Sequence, residues 1–246
     1  MKRSIKVGTM IYPLPAVLVS CGATPEEYNL LTVAWTGTVC SDPAMCYISV
    51  RPERHSYEII KRTGEFVINL TTEELARATD WCGVRSGRDY DKFAETGLTP
   101  VKAEKVSAPV VEESPVAIEC RVRQIIPLGS HDMFVAEVVN VLVDERIIDD
   151  ATGKFELERA GLLAYSHGEY FALGKALGHF GWSVRKKPYA KKTETRKSDA
   201  EKTDAEKSSA RKSVTVRPSA RRSVADKPST RKSGGRMPTA KVAKKK

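Results

Sequence analysis

Arg51, Arg54 and His55 fall together where an apolar run, Met45–Val50, gives way to a helix-forming stretch that opens at Ser56. Cationic side chains collected at such a junction have a definite chemistry open to them. A helix start presents free backbone N–H groups and a partial positive charge. Arginines added there make an anion site, most naturally for a phosphate. A solvated turn has the same composition, and these residues alone do not separate the two.

Neighbouring segments bear on the choice. In Asn29–Pro43, Thr32, Thr36 and Thr38 share one alternation parity with Ala34 and Cys40, while Val33 and Trp35 take the other. Hydroxyl and small side chains on one strand face leave room for a flat ligand and offer it hydrogen bonds, although threonine is also an ordinary strand former. Further on, Gly83, Ser86 and Gly87 form a loop whose backbone a ligand can approach closely. Asp91, Lys92 and Phe93 then read as a helix start anchored by an aromatic. His131, beside Asp132 after a hairpin turn, is placed to donate a proton or to respond to pH. Asp132 is available to orient it. A plain surface loop and a solvated histidine are the alternatives for these last two.

Other chemistries are not supported. There is no GxGxxG after the first strand, no GxxxxGK[ST] and no GxSxG elbow. Five cysteines, an odd number with no CxxC pair, suit reduced thiols in a cytoplasm better than a disulfide framework or a zinc site. Cys46 lies near the proposed pocket, and its type suits a small buried core residue. No metal site is expected.

The elements that must position these groups are short strands punctuated by turn residues. They run Ala16–Gly22, Leu30–Val39, Met45–Val50 and Glu65–Leu70, then two longer runs over 116–129 and 131–145 joined by a hairpin at Pro127–Ser130. Helices are expected at Ser56–Gly64 with Ser56 as cap and Gly64 as stop, at 71–83 with a threonine cap, and around Tyr90–Glu95. In the first long run Ala117, Glu119, Arg121 and Arg123 alternate as the polar face against Val116, Ile118, Cys120 and Val122. Many short strands without a βαβ rhythm point to an antiparallel barrel. Lys2, Arg3 and Lys6 followed by Leu18–Cys21 resemble a lipoprotein leader, but Pro13 and Pro15 interrupt the apolar region, and the segment reads better as a first buried strand. No apolar run approaches the roughly 20 residues of a transmembrane helix, so no membrane partner is expected.

Charge divides the chain in two. The 246 residues carry a formal net charge of +10, yet Arg185–Lys246 holds 22 basic and 6 acidic residues, leaving residues 1–184 with 19 basic and 25 acidic. The second part has almost no apolar residues and repeats a basic pair followed by serine at Arg196, Arg211, Arg221 and Arg231. It is expected to be a disordered, low-complexity basic tail, able to bind nucleic acid or to serve only as a solubilising appendage. Residues 1–184 are expected to form one domain with a sizeable core.

Taken in order, Pro15–Gly22, Thr32–Ile60, Gly64–Leu70, Cys82–Leu98, Ala108–Val122 and Gly129–Val141 resemble the flavin reductase-like, FMN-binding split-barrel family, and its flavoredoxin branch in particular. The resemblance implies a mainly β, antiparallel Greek-key split barrel with a few short helices, forming a homodimer and binding FMN. It implies that Thr32, Val33, Ala34, Trp35, Thr36 and Thr38 line the ring system and ribityl chain. Arg51, Arg54, His55 and Ser56 hold the phosphate, Ser86 lies against the flavin or its phosphate, and His131 stands near the reacting rings. Ser130 occupies the position where the family usually has Asp. The implied activity is an oxidoreductase taking electrons from NAD(P)H or a redox partner protein and passing them to free flavin, ferric iron or a protein acceptor. An electron carrier with little NAD(P)H turnover is the alternative, as is a barrel platform whose basic tail binds nucleic acid.

Overall fold

The computed structural model of this chain describes residues 1–185, so the expected tail, Arg185–Lys246, lies outside the described residues beyond its first position. The strands and helices, in chain order, are β1 (Leu14–Pro15), β2 (Val17–Cys21), β3 (Asn29–Val33), β4 (Thr36–Ser41), β5 (Ala44–Val50), α1 (His55–Thr63), β6 (Glu65–Leu70), α2 (Ala76–Val84), α3 (Lys92–Thr96), β7 (Pro100–Val101), β8 (Val110–Val111), β9 (Val116–Pro127), β10 (Asp132–Val143), β11 (Leu163–Ser166) and β12 (Glu169–Ala172).

Seven strands form one antiparallel sheet in the order β3-β2-β6-β9-β10-β5-β4. Its two edges, β3 and β4, are consecutive in the chain, joined only by Ala34 and Trp35. Six inter-strand steps of about 4.8 Å would hold the edges of a flat sheet roughly 29 Å apart. Three Cα–Cα steps of about 3.8 Å, the link from Val33 to Thr36, reach at most roughly 11 Å. The sheet must therefore roll until its edges meet, and the product is a Greek-key split β-barrel. The long β9–β10 hairpin carries two register shifts, after Val135 and after Val138, which supply part of the curl. The link is fastened at the seam, where Ser49 N donates to Trp35 O at 2.8 Å.

The interior is filled by inward residues of every large strand except β4, among them Val17, Val19, Ile48, Phe66, Ile68 and Phe134, closed by Tyr57, Ile59 and Ile60 of α1. The outer faces of β2, β3 and β6 are covered as well. Leu18 and Leu30 pack under Leu75, Cys82, Phe93 and Leu98 of the α2–α3 region. Val67 and Ala117 pack under Ala103, Val106, Ala108 and Val110. Burial on both faces explains why β2 is buried at every position and reads as a nearly continuous apolar run.

Four expectations are corrected. The run Leu30–Val39 is not one strand but two, split at Ala34–Trp35 onto opposite sheet edges, so its common parity does not describe one face. Helix α1 starts at His55, one residue early; Ser56 does not cap it, because its Oγ accepts from Asn29 Nδ2 at 2.7 Å inside the protein. Helix α2 starts at Ala76, later than expected; Thr72 Oγ1 accepts from Leu75 N at 3.3 Å in the turn before it but no side chain caps the helix at its first turn, and Thr71 Oγ1 donates to Ala16 O at 2.5 Å. In β9 the supposed polar face is buried over its first half. Ala117 is covered, and Glu119, fully buried, accepts from Glu104 N at 3.1 Å, Lys105 N at 2.6 Å and Asn140 Nδ2 at 2.9 Å. Alternation cannot show that a loop folds back over the outside of a strand. The expected stop is present, with left-handed Gly64 (φ 69°) ending α1; Gly97 (φ 68°) ends α3 in the same way.

Glu119 is what pins the 103–106 loop to the barrel. Glu119→Ala should lower stability by roughly 2–6 kcal/mol in urea unfolding, from two backbone donors left without an acceptor at ~1–3 kcal/mol each. A change within about 0.5 kcal/mol would show that the clamp does not hold the loop.

Candidate functional site

The seam opens into a groove of about 360 Å³. Its floor is apolar and comes from Ala16, Leu31, Val33 and Val50; Ala34 and Trp35 form the edge link, and Ser49, Arg51, Arg54 and His131 stand across from them. Asp80, Gly83 and Val84 of α2 make one side, and Tyr165 and Tyr170 of the β11–β12 hairpin reach over from another. That hairpin turns on His167 (φ 50°) and Gly168 (φ 88°), a pair of left-handed residues suited to a two-residue turn.

Helix α2 can lie this close to β3 because Gly83 faces Thr32: a Cβ on Gly83 would come within 3.2 Å of Thr32 Cβ. The Thr32 hydroxyl donates to Thr79 O, so it holds the helix against the strand. Trp35 and His131 face one another with ring planes 4° apart and centroids 6.2 Å apart. His131 Nδ1 lies 2.9 Å from Ser130 Oγ. Asp132 does not orient His131, which corrects the expected pairing. Its carboxylate accepts from Tyr57 OH at 2.5 Å, a contact that pushes the Tyr57 phenol up to about 12. The tyrosine thereby ties α1 to the start of β10, next to His131. Burial, then the nearby Arg51 charge, lowers the pKa of His131 below its ordinary 6.5. At neutral pH the imidazole is uncharged and can offer one N–H.

A second pocket of about 330 Å³ adjoins the groove and shares Leu31, Arg51 and Arg54 with it. Its other walls are Asn29, Glu53, His55, Ser56, the Arg85–Arg88 loop and Lys92. The loop is pressed onto β3 through Gly87, where a Cβ would fall 2.2 Å from Asn29 Oδ1. Arg88 Nη1 donates to Glu53 O at 3.1 Å and ties the loop to the turn before α1. Lys92 is only 3 % exposed, and its ammonium donates to Cys82 O at 2.6 Å. That uses one of three donors. Burial, and after it the Arg54 charge, lowers its pKa, and burial with Arg88 does the same to His55. A buried ammonium beside arginines is costly unless an anion joins it. The donor set therefore fits a phosphate in the pocket, with a flat apolar body continuing into the groove.

Of the residues singled out in the sequence, Thr32, Val33, Ala34, Trp35, Arg51, Arg54 and His131 line the groove, and His55, Ser56 and Ser86 line the adjoining pocket. Thr36 and Thr38 do not line either. Thr36 is buried with its hydroxyl donated to Tyr47 O at 2.7 Å, and Thr38 is exposed further along β4. Cys46 sits in the barrel interior, 3.5 Å from Cys120 Sγ. Sequence reasoning missed Asn29, Asp80, Arg85, Arg88, Lys92, Tyr165 and Tyr170 as lining residues. A signal existed for Arg85, Arg88 and Lys92, three cations in the glycine-bearing segment 83–92. None marked the tyrosines, which reach the site only through tertiary packing of β11 on β1.

Comparison with known proteins agrees with this architecture. The solved structure of the flavoredoxin of Desulfovibrio vulgaris (Miyazaki F) matches with a TM-score of 0.70 and 33 % identity, covering 75 % of this chain and 100 % of that one. A protein of Archaeoglobus fulgidus without a described activity is 29 % identical over 161 residues, 65 % of this chain and 88 % of its own. An NADH-dependent FMN reductase of Streptomyces nodosus subsp. asukaensis is 27 % identical over 128 residues, 52 % of this chain and 68 % of its own. The model of the flavin reductase like domain matches residues 9–174, a span that takes in the barrel, its seam and both pockets, and this chain belongs to that family.

Proposed function

We propose that this protein is an FMN-binding oxidoreductase, drawing electrons from NAD(P)H or a redox protein and delivering them to free flavin, ferric iron or a protein acceptor. The observation that carries the proposal is the continuity of an apolar groove with a cation-lined pocket through Arg51 and Arg54. Few ligands other than a flat ring system on a phosphorylated stem ask for both.

In this reading the chain's own residues bind, orient and exclude water. Arg51, Arg54, Ser56, Ser86 and Lys92 hold the phosphate, with His55 beside them. Leu31, Val33 and Ala34 supply the apolar bed, and Trp35 flanks it. His131, neutral at physiological pH, offers a hydrogen bond at the groove edge without adding charge. When bound, FMN supplies a ring that accepts a hydride and releases electrons singly or in pairs.

The likeness to a flavoredoxin favours a second reading, an electron carrier with little NAD(P)H turnover of its own. The likeness to an NADH-dependent FMN reductase favours the first. Nucleic-acid binding by the tail concerns residues outside the described ones. We further propose a cytoplasmic homodimer. Five free thiols suit the compartment. Exposed apolar side chains on the terminal segments, among them Val7, Ile11, Leu177 and Phe180, suit cover by a second copy.

The purified protein should show flavin absorption bands, with FMN released on denaturation and identified by chromatography. A colourless protein that takes up no added FMN would end the proposal. Steady NAD(P)H oxidation separates the reductase from the carrier. Arg54→Ala should weaken FMN binding by ~1.5–3 kcal/mol, the scale of a hydrogen bond to a charged group. An unchanged Kd removes Arg54 from the phosphate site. Lys92→Met should weaken FMN binding yet raise the stability of the FMN-free protein, because it removes a buried charge that lacks its anion. A loss of stability in the FMN-free protein would contradict that placement. His131→Ala should slow reduction by NAD(P)H more than it weakens FMN binding. Any inflection of the rate that disappears with His131 should lie below pH 6.5, the side to which its pKa is shifted.

A further inference from the structure

The adjoining pocket is more positive than one phosphate needs. Arg51, Arg54, Arg85, Arg88 and Lys92 line it, with Glu53 as the one lining carboxylate, so five positive charges face one negative. Glu53 is itself engaged by Arg51 at 3.4 Å. A phosphate monoester brings a charge of roughly −2 at neutral pH. About two positive charges then remain without a counterion.

The cations fall into two groups. Arg51, Arg54 and buried Lys92 stand where the pocket meets the groove or deep in its wall. Arg85 and Arg88 stand on the loop after α2 and line this pocket alone; they are exposed, as Arg51 and Arg54 also are. Their loop is not free to swing away. Gly87 between them is seated against Asn29, Arg88 is tethered to Glu53 O, and the Arg85 guanidinium lies 5.5 Å from the Tyr90 ring centroid. Among the described residues Arg85 donates no side-chain hydrogen bond, and Arg88 spends one of its five donors. Two guanidinium groups fixed by packing, with donors unspent, at the mouth of a phosphate pocket form a second anion position beside the first.

We propose that the Arg85–Arg88 rim binds a second phosphate group, so that the pocket prefers a nucleotide with more phosphate than FMN alone supplies. The inference rests on the flavin reading of the groove. Two nucleotides relevant to that reading carry such a group. FAD extends the flavin's own phosphate to a pyrophosphate, and NADPH differs from NADH by a 2′-phosphate. The pyrophosphate of FAD carries about the same total charge as the FMN monoester but adds phosphate oxygens for the rim donors, whereas the 2′-phosphate of NADPH adds both oxygens and charge.

The test compares two matched pairs on the full-length protein. Kd values for FMN and FAD are measured by flavin fluorescence, and kcat/KM for NADPH and NADH on the FMN-loaded protein. The wild type should favour the phosphate-richer member in at least one pair. Arg85→Ala and Arg88→Ala should each reduce that preference by about tenfold, the loss of one charge-assisted hydrogen bond, while FMN affinity changes by less than about twofold. Arg85→Lys should restore part of it. The pair that responds identifies the source, FAD or NADPH. Two results overturn the inference: wild-type preference in neither pair, or equal weakening of FMN and FAD by the variants, which would make the rim part of a diffuse field or of the first phosphate site. A wild type that binds no FMN overturns the flavin reading instead, so the two failures are distinguishable. Arg85 carries no structural tether through its N–H groups, so its variant keeps the test valid if Arg88→Ala loosens the loop.

Discussion

Two residues, Ala34 and Trp35, span what a flat seven-stranded sheet would hold far apart, and that constraint organises the whole molecule. Closure brings the end of β3, the start of β4 and the end of β5 to one place, locked by the Ser49–Trp35 backbone hydrogen bond. The groove is the space left at that closure. Its floor is made by the buried side chains Ala16, Leu31, Val33 and Val50, which is why it is apolar, and its rim is the strand-to-helix turn after β5, which is why it is cationic. Function here is a consequence of topology before it is a consequence of any one side chain.

The cost of the site is electrostatic. Lys92 is almost wholly buried, near Arg54, with one carbonyl as its only hydrogen-bond acceptor among the described residues. Such an arrangement opposes folding unless something offsets it elsewhere. The offset is visible in the packing around it: apolar layers on both faces of β2 and β3, and fully satisfied polar links such as Asn29 to Ser56 and Asn69 to Val111 N. A well-supported scaffold can hold a cation in an unfavourable place, ready for a ligand that makes the place favourable.

Much of the fold was legible. Short apolar runs between turn residues located six of the seven barrel strands, and a glycine stop located the end of α1. Two of the failures share a cause. Leu30–Val39 reads as one strand because nothing local at Ala34–Trp35 breaks it; the break exists because the barrel closes there. Glu119 reads as exposed because its neighbours alternate correctly; it is buried because the 103–106 loop returns over it. In the site, the cations at 51–55 announced themselves by spacing, since both the strand and the helix they join are local features. Thr36 and Thr38 were misplaced by the unbroken strand, and Tyr165 and Tyr170, in a hairpin well past His131 and the other lining residues in sequence, carried no signal at all.

The central claim is that the cation pocket recognises the phosphate of a ligand whose ring lies in the groove. Comparing the wild-type Kd for FMN with that for riboflavin, which has the same ring and ribityl chain without the phosphate, tests it most directly. The account predicts far weaker binding of riboflavin, by a factor of about a hundred if two charge-assisted hydrogen bonds are lost. Equal affinity for the two would contradict it.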